Sequence, residues 1–273
     1  MKKDWPIDHV HLVISDINRS LDFYRGVLGL SSKAAGDHVC LHPRDSGKCV
    51  IYLEEGKIQV DRENYIYHIA LLQPDRETLG ALLERILSQW DNIEGYADHI
   101  VSEAIYVRDP DYIGVELYSD RDRSLWRHDE KGFIVMDTLP LDIDDLIMSA
   151  RRKRSGVEIG RGMAVGHIHL RGRDPETAGR FYIDVMGMRL TGVWFGARFL
   201  SYGGYHHHVA INSWPVPRPQ DGSGLRSFAI NMGSSLLRSG IGGIGGYSVS
   251  DLPCGARRVI TDPNGFRIEI IEP

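Results

Sequence analysis

Alternating apolar and polar positions mark several short segments of the chain, and two of these segments share a His-X-His-Leu start and a closing Asp. Asp8-His-Val-His-Leu-Val-Ile-Ser-Asp16 and Gly166-His-Ile-His-Leu-Arg-Gly-Arg-Asp174 agree at a constant offset of 158 residues. An alternation with period two predicts a β-strand, and it places both histidines of each His-X-His on the same face. The pattern therefore predicts two equivalent strands, each opening one repeat.

A helix is predicted directly after each of these strands. Apolar residues recur there at helical spacing, at Leu21, Phe23, Tyr24, Val27 and Leu28 in the first copy and at Phe181, Tyr182, Val185 and Met186 in the second. Gly29 and Gly187 follow, and glycine suits the left-handed position at a helix C-terminus. Because the offset continues through this region without a gap, we interpret the chain as an internal duplication.

The later elements of the two copies also correspond. Strand-like runs are predicted at Val39–Leu41, Val50–Leu53, Val193–Tyr202 and His207–Ile211. The first copy has a predicted helix at Arg76–Gln89, whereas the second has the glycine-rich Gly240–Gly246 in its place, so most of that helix is expected to be lost there. Both copies close with an Asp-Pro turn and an alternating strand that carries a glutamate, Glu116 or Glu269.

These elements predict an α+β fold with a first module at residues 1–120, a linker at 121–160 and a second module at 161–273. A short helix is expected within the linker, around Leu139–Leu146. The basic run Arg151–Arg154 is interpreted as a solvated part of the linker, because runs of like charge favour exposure.

Composition narrows the class of protein. With 42% hydrophobic and 25% charged residues, the chain is expected to be soluble and globular, and its net charge of −5 argues against a nucleic-acid-binding surface. Neither a signal peptide nor an apolar run of the roughly 18 residues that span a membrane is found. Cys40, Cys49 and Cys254 are scattered and odd in number, so no disulfide framework is expected and a cytoplasmic location is predicted.

Histidines and a glutamate on predicted strands are the candidate metal ligands. His9, His68 and Glu116 would supply two imidazoles and one carboxylate, the set that binds non-haem iron(II) and leaves positions open for substrate and dioxygen. A single strand histidine is more often a packing residue, so the prediction depends on all three ligands occurring together. His11 and His169 are expected to pack beside such a site instead of binding the metal.

The whole chain resembles the vicinal oxygen chelate superfamily of glyoxalases, bleomycin-resistance proteins and type I extradiol dioxygenases, and within it the two-module bacterial catechol 2,3-dioxygenase-like proteins. The resemblance is carried by segments such as IDHVHLVISDINRSLDFYRGVLGL, YHIALLQPDRETLGALL, GGYHHHVAINSW and DPNGFRIEI. It implies paired βαβββ modules that curl into an open cup around a metal. The ligands it implies are His9, His68 and Glu116, with a second, weaker site at His167 and Glu269 where Ser227 replaces the middle ligand.

The resemblance also implies roles beside the metal. His99 would donate a hydrogen bond to a bound oxygen species, and Tyr106 would orient the diol. An acid–base histidine is expected from the run His206-His-His208, with His208 as the candidate, while His207 or His208 is an alternative ligand for the second site.

Three functions follow as hypotheses. The first is ring cleavage of a catechol-like aromatic diol by dioxygen, with Fe(II) as the expected metal and Mn, Zn or Ni as alternatives. The second is a glyoxalase-like lyase or isomerase in which a metal ligand or a neighbouring carboxylate such as Glu103 moves the proton, and the third is a non-catalytic small-molecule-binding protein. No nucleic-acid or membrane partner is expected, and a homodimer is predicted from the prevalence of symmetric dimers.

Overall fold

The computed structural model describes residues 7–153, 156–232, 248–251 and 257–271. The strands in these ranges are β1 (Ile7–Ile14), β2 (Ser31–Ala35), β3 (His38–His42), β4 (Ile51–Glu55), β5 (Tyr65–Leu72), β6 (Ile93–Asp98), β7 (Ser102–Arg108), β8 (Gly114–Asp120), β9 (Ala164–Arg171), β10 (Arg189–Trp194), β11 (Ala197–Ser201), β12 (Val209–Asn212), β13 (Gly224–Asn231), β14 (Ser248–Asp251), β15 (Arg257–Thr261) and β16 (Arg267–Ile271). The helices are α1 (Ile17–Leu21), which continues as a π-helical turn (Asp22–Val27), α2 (Arg76–Gln89), α3 (Ile143–Arg152) and α4 (Pro175–Asp184), with a 3-10 turn at Arg123–Leu125.

The strands form two eight-stranded sheets, and each sheet combines both halves of the chain. The first sheet has the order β14-β15-β16-β13-β1-β4-β3-β2, and the second has the order β10-β11-β12-β9-β5-β8-β7-β6. This is the predicted α+β architecture of paired βαβββ units, curled into half-barrels, and the fold prediction is confirmed. The predicted modules at residues 1–120 and 161–273 remain units of the sequence, since each of them contributes four strands to each sheet.

The central strand pair of each sheet determines which parts of the chain share a concave face. β1 pairs with β13 in the first sheet, and β5 pairs with β9 in the second, both antiparallel. In the second sheet, Ala70 of β5 lies opposite His167 of β9 and beside Glu116 of β8. Residues from two repeats therefore meet at the centre of the second sheet.

The repeated Asp-Pro turns pack in the same way in both copies. Asp109 accepts hydrogen bonds from the backbone N–H groups of Asp111 and Ile113 and from the Tyr24 hydroxyl. Asp262 accepts the equivalent hydroxyl bond from Tyr182. Burial raises the pKa of Asp109 to about 7 and that of Asp262 to about 6. The repeat thus preserves a buried turn that anchors an aromatic residue of each helical segment.

The linker helix is present, and its docking explains a glycine in α2. A Cβ atom at Gly80 would lie 2.2 Å from the carbonyl oxygen of Leu146, so α3 can approach α2 this closely only because position 80 is glycine. Arg151 and Arg152 form the last turn of α3, and their side chains are exposed. Among the described residues, no helix has the length and apolar content that crossing a bilayer requires.

Two expectations were wrong. Cys40 of β3 and Cys49, which precedes β4, form a disulfide with their Cα atoms 5.5 Å apart, because the antiparallel pairing of β3 and β4 brings them within bonding range. The run Val193–Tyr202 is not one strand, since β10 and β11 form a hairpin that turns at Gly196, where φ is +70°. Cys254 and Gly240–Gly246 lie outside the described residues.

Candidate metal centre and its cavity

Three buried side chains from β5, β8 and β9 converge on one point of the second sheet. One carboxylate oxygen of Glu116, Oε2, lies 2.9 Å from His68 Nε2 and 3.0 Å from His167 Nε2. No more than 4% of any of the three residues is exposed. The cluster exists because the register places His167 and Glu116 on either side of Ala70, two residues after His68 in β5.

The protonation of this cluster suits metal binding. Burial alone would raise the pKa of Glu116, but the two neighbouring imidazoles hold the pKa of this carboxyl well below its usual range. Burial lowers the pKa of His68 and of His167, although Glu116 opposes the shift. The cluster therefore presents one carboxylate and two neutral imidazoles, which is the form in which these groups bind a cation.

The spacing of the ligand atoms also fits a divalent metal. Two ligands at a right angle around a metal, each about 2.1 Å from it, lie about 3 Å apart, and the two distances from Glu116 Oε2 match this value. Among the described residues, His68 Nε2 has no hydrogen-bond partner in a suitable direction, so its lone pair is free for a metal. The three side chains thus fit a facial two-histidine, one-carboxylate site.

His9, the third predicted ligand, does not belong to this cluster. It lies on β1 of the first sheet, where its Nδ1 is 2.9 Å from Asp8 Oδ1 and its Nε2 is 3.9 Å from Glu269 Oε2. His167, predicted for the second site with Glu269, takes its place beside His68 and Glu116. The structure does not bring His9 together with His68 and Glu116, because β1 pairs with β13 whereas β5 pairs with β9. His167 therefore lies beside His68 and Glu116, and His9 lies in the first sheet with Glu269.

The equivalent position in the first sheet holds His9, Ser227 and Glu269. The Ser227 hydroxyl donates a hydrogen bond of 2.7 Å to Glu269 Oε1. Serine is a poor ligand for iron(II), and here it is engaged with the carboxylate. This position therefore keeps one histidine and the glutamate. In place of the second histidine it has a serine that is hydrogen-bonded to the glutamate.

A further group, His11, His38 and Glu54, also lies together in the first sheet. Arg226 donates to both carboxylate oxygens of Glu54, each at 2.6 Å. The guanidinium already neutralises the carboxylate, so this group has the character of an ion-pair network.

His99 and Tyr106 are brought together as a pair beside the metal centre. His99 Nδ1 lies 2.7 Å from the carbonyl oxygen of Asp137, so this nitrogen carries the proton. Its Nε2 then accepts a hydrogen bond of 2.6 Å from the Tyr106 hydroxyl. The Tyr106 ring lies 5.7 Å from the ring of His68, centroid to centroid, and both His99 and Tyr106 line the cavity described below.

His208, the predicted acid–base histidine, points away from the cavity. Its Nδ1 accepts a hydrogen bond from the backbone N–H of Tyr202, and its ring stacks on Tyr205. Its neighbours His206 and His207 line the cavity instead. His208 is thus not among the described residues that line the cavity, because the direction of each side chain just before β12 depends on the pairing of that strand.

A chain of hydrogen bonds fixes the protons on the two cavity histidines. His206 Nε2 lies 3.2 Å from Asp120 Oδ1, and His206 Nδ1 lies 2.8 Å from His207 Nδ1. Since the carboxylate accepts from His206 Nε2, His206 Nδ1 accepts in turn from His207 Nδ1–H. The remaining nitrogen of His207, Nε2, is an acceptor, and the His207 ring lies 4.1 Å from the ring of His167. Sequence reasoning missed Asp120, which carries no motif.

A cavity of about 360 Å³ opens beside the three converging side chains. One of its walls, here called the apolar wall, consists of Met136, Trp194, Phe199 and Trp214. Met136 belongs to the linker, which sequence analysis treated only as a connection. The remaining lining residues are Tyr67, His68, Glu94, Gly95, Tyr96, Ala97, His99, Val101, Ser102, Tyr106, Glu116, Thr138, His167, His169, His206 and His207.

Comparisons with known proteins agree with this fold and cluster. The sequence profile of the glyoxalase/bleomycin resistance protein/dioxygenase superfamily matches residues 6–117 and 164–235. A protein of Bacillus subtilis (strain 168) named catechol-2,3-dioxygenase is 37% identical over 238 residues, which cover 84% of this chain and 83% of the relative. The chain therefore belongs to the glyoxalase/bleomycin resistance protein/dioxygenase superfamily.

Solved structures show the same fold at low sequence identity. A Bacillus subtilis protein provisionally described as a dioxygenase matches with a TM-score of 0.63 and 14% identity, over 100% of this chain and 86% of its own. Glyoxalase I from Zea mays matches with a TM-score of 0.58 and 16% identity, over 97% of this chain and 92% of its own. The fold family is metal-dependent, and the His/Glu cluster of the second sheet could bind a metal.

Proposed function

We propose that the protein is an extradiol ring-cleaving dioxygenase that acts on a catechol-like aromatic diol, with iron(II) held by His68, Glu116 and His167. The observation that carries the proposal is the convergence of these three buried side chains at the edge of a cavity with an apolar wall. The relative named catechol-2,3-dioxygenase supports the same reaction.

The ligand set defines what such a site contributes. Iron(II) bound by two imidazoles and one carboxylate supplies adjacent open positions for both diol oxygens and for dioxygen. The two neutral imidazoles and one carboxylate leave the loaded site with one positive charge, so an anionic diol is favoured over a neutral one.

The residues around the ligands can bind, orient and deprotonate the diol. His207 presents Nε2 as an acceptor, since its Nδ1–H is committed to His206, so it is placed to take a hydroxyl proton from the diol. The Tyr106 hydroxyl donates to His99, which leaves its oxygen lone pairs to accept a hydrogen bond from the substrate. The apolar wall excludes water beside the ring, which strengthens these interactions.

The glyoxalase-like alternative receives less support from the site. Glu103, the carboxylate suggested for its proton transfer, is bound by Arg76 at 2.5 Å and by Arg121 at 3.2 Å. It is not among the described residues that line the cavity. A carboxylate held by two guanidinium groups is a weak base, so the dioxygenase reaction is the better match.

Oxygen uptake tests the proposal directly. Protein purified without oxygen and loaded with iron(II) would be mixed with catechols in an oxygen electrode, with Mn(II), Zn(II) and Ni(II) loading as comparisons. We expect oxygen uptake and a yellow ring-fission product with iron(II). His68→Ala should lower both the bound iron and the rate at least about 100-fold, because it removes a ligand.

His9→Ala is the matched control, because His9 occupies the position in the first sheet that His167 occupies in the second. We expect this variant to retain the iron and the activity of the parent. Absence of oxygen uptake from protein that holds iron would overturn the proposal. Loss of activity in folded His9→Ala protein would move the site to the first sheet.

A further inference from the structure

The charged groups that line the cavity are all of one sign. Glu94 and Glu116 are the ionisable carboxyls among the described lining residues, and that set contains no lysine or arginine. Arg108, whose Nε lies 2.8 Å from Glu94 Oε1, is 2% exposed and is not among the described lining residues. Apart from a metal at the centre, whose open positions the diol itself would occupy, the described lining therefore offers an anionic ring substituent no cation to pair with.

The apolar wall begins directly beyond the metal-binding side chains. The ring of His169 lies 4.9 Å from that of His68 and 5.8 Å from that of Trp214, centroid to centroid. Phe199 lies 5.1 Å from His207 and 5.7 Å from Trp194 by the same measure. A ring bound at the centre would thus direct a substituent on this side against carbon and aromatic faces.

The size of the cavity limits how large that substituent can be. A protein cavity of about 150 Å³ accommodates one benzene ring. The 360 Å³ available here leaves space for one diol ring and a compact substituent of a few carbon atoms. A second fused ring system would have to extend through the cavity mouth.

We infer that the cavity selects single-ring diols with an uncharged, apolar substituent, that it discriminates against ring carboxylates, and that the apolar wall, which includes Trp194, determines this specificity. The inference rests on the proposed function for the identity of the diol, whereas the charge and shape of the cavity carry the selectivity.

The test compares three diols that differ at one ring position. These are 4-isopropylcatechol, 3,4-dihydroxybenzoate and its methyl ester, and the ester controls for electron withdrawal without the charge. Binding of each diol would be measured by calorimetry, both to iron(II)-loaded protein and to protein as purified. The measurement is made under argon, because turnover cannot occur without oxygen. We expect the acid to bind at least about 50-fold more weakly than the other two, because its carboxylate loses water without gaining a partner.

Substitution of Trp194 tests whether the apolar wall sets the preference for the ester over the acid. Trp194→Arg should narrow the difference between acid and ester at least about 10-fold, because it places a cation in the apolar wall. Phe195→Arg is the matched control, since Phe195 is the next residue, is 99% exposed at the hairpin turn and lies outside the lining. It adds the same charge and should leave the preference unchanged.

Two results would overturn the inference. One is equal binding of acid and ester to the parent protein, which needs no variant to fold. The other is an equal response to the two arginine substitutions. Preferential binding of the ester without any oxygen uptake would support the selectivity and reject the proposed reaction. Oxygen uptake at equal rates with the acid and the ester would support the reaction and reject the selectivity.

Discussion

The two sheets of this protein are built from the same repeat, yet among the described residues only the second sheet has two histidines and a glutamate at the repeat-equivalent positions. The second has His167, His68 and Glu116, and the first has His9, Ser227 and Glu269 at the equivalent positions. The second set converges within 3.0 Å of one carboxylate oxygen.

The surroundings of the two clusters differ as well. In the first sheet, Asp8 accepts from His9 and from Lys48, and Arg226 pairs with Glu54. In the first sheet, ion pairs and hydrogen bonds between side chains therefore balance the charges of the carboxylates. The comparison teaches that a duplicated fold preserves the positions of a site, while the residue at one of these positions, His68 or Ser227, changes how well the set suits a metal.

The largest expected effect distinguishes two neighbouring histidines. His207→Ala should lower kcat by about 100-fold or more, since it removes the group that is proposed to accept the proton of the diol. His208→Ala removes a side chain that faces Tyr202 and Tyr205, so it should lower the melting temperature and leave kcat of the folded protein near that of the parent. Steady-state kinetics and thermal melting measure both effects. The reverse pattern would return the acid–base role to His208.

A gain of metal in the first sheet is the next expected effect. Ser227→His restores the missing residue type beside His9 and Glu269, so metal analysis should find up to one additional divalent ion bound per chain. Combining Ser227→His with His9→Ala should remove the gain. An unchanged metal content in well-folded Ser227→His protein would show that the surrounding ion pairs, and not the serine alone, prevent binding.

An effect on stability instead of catalysis compares the two repeated Asp-Pro turns. The folded-state pKa values of Asp109, about 7, and Asp262, about 6, are raised above the ordinary value of 3.8. A raised pKa means that the folded state holds its proton more tightly than the unfolded state. The resulting stabilisation is complete below about pH 4 and is lost as the pH rises through about 6 for Asp262 and about 7 for Asp109.

Urea unfolding between pH 4 and pH 8 measures these contributions. Asp109→Asn should flatten the fall in unfolding free energy up to pH 7, and Asp262→Asn should flatten it only up to pH 6. Identical pH profiles for the parent and the Asp109→Asn protein would contradict a protonated Asp109 in the folded state.

The sequence by itself determined the repeat and the residue types of the site. The offset of 158 residues identified equivalent strands, and the strand pattern indicated His9, His68 and Glu116, with His167 and Glu269 as counterparts, as candidate ligands. The pairing of His99 with Tyr106 also follows from local order, because β6 and β7 form one hairpin.

Only the tertiary structure decided which histidine joins His68 and Glu116. Two equivalent repeats can pair their central strands within a copy or between copies, and both choices bury the same alternating faces, so the pattern cannot distinguish His9 from His167. Pairing of β5 with β9 makes that choice. The same reason applies to Trp194. Its strand, β10, lies far in sequence from β5 and β8, and only the packing of the whole sheet brings Trp194 into the same cavity as His68 and Glu116.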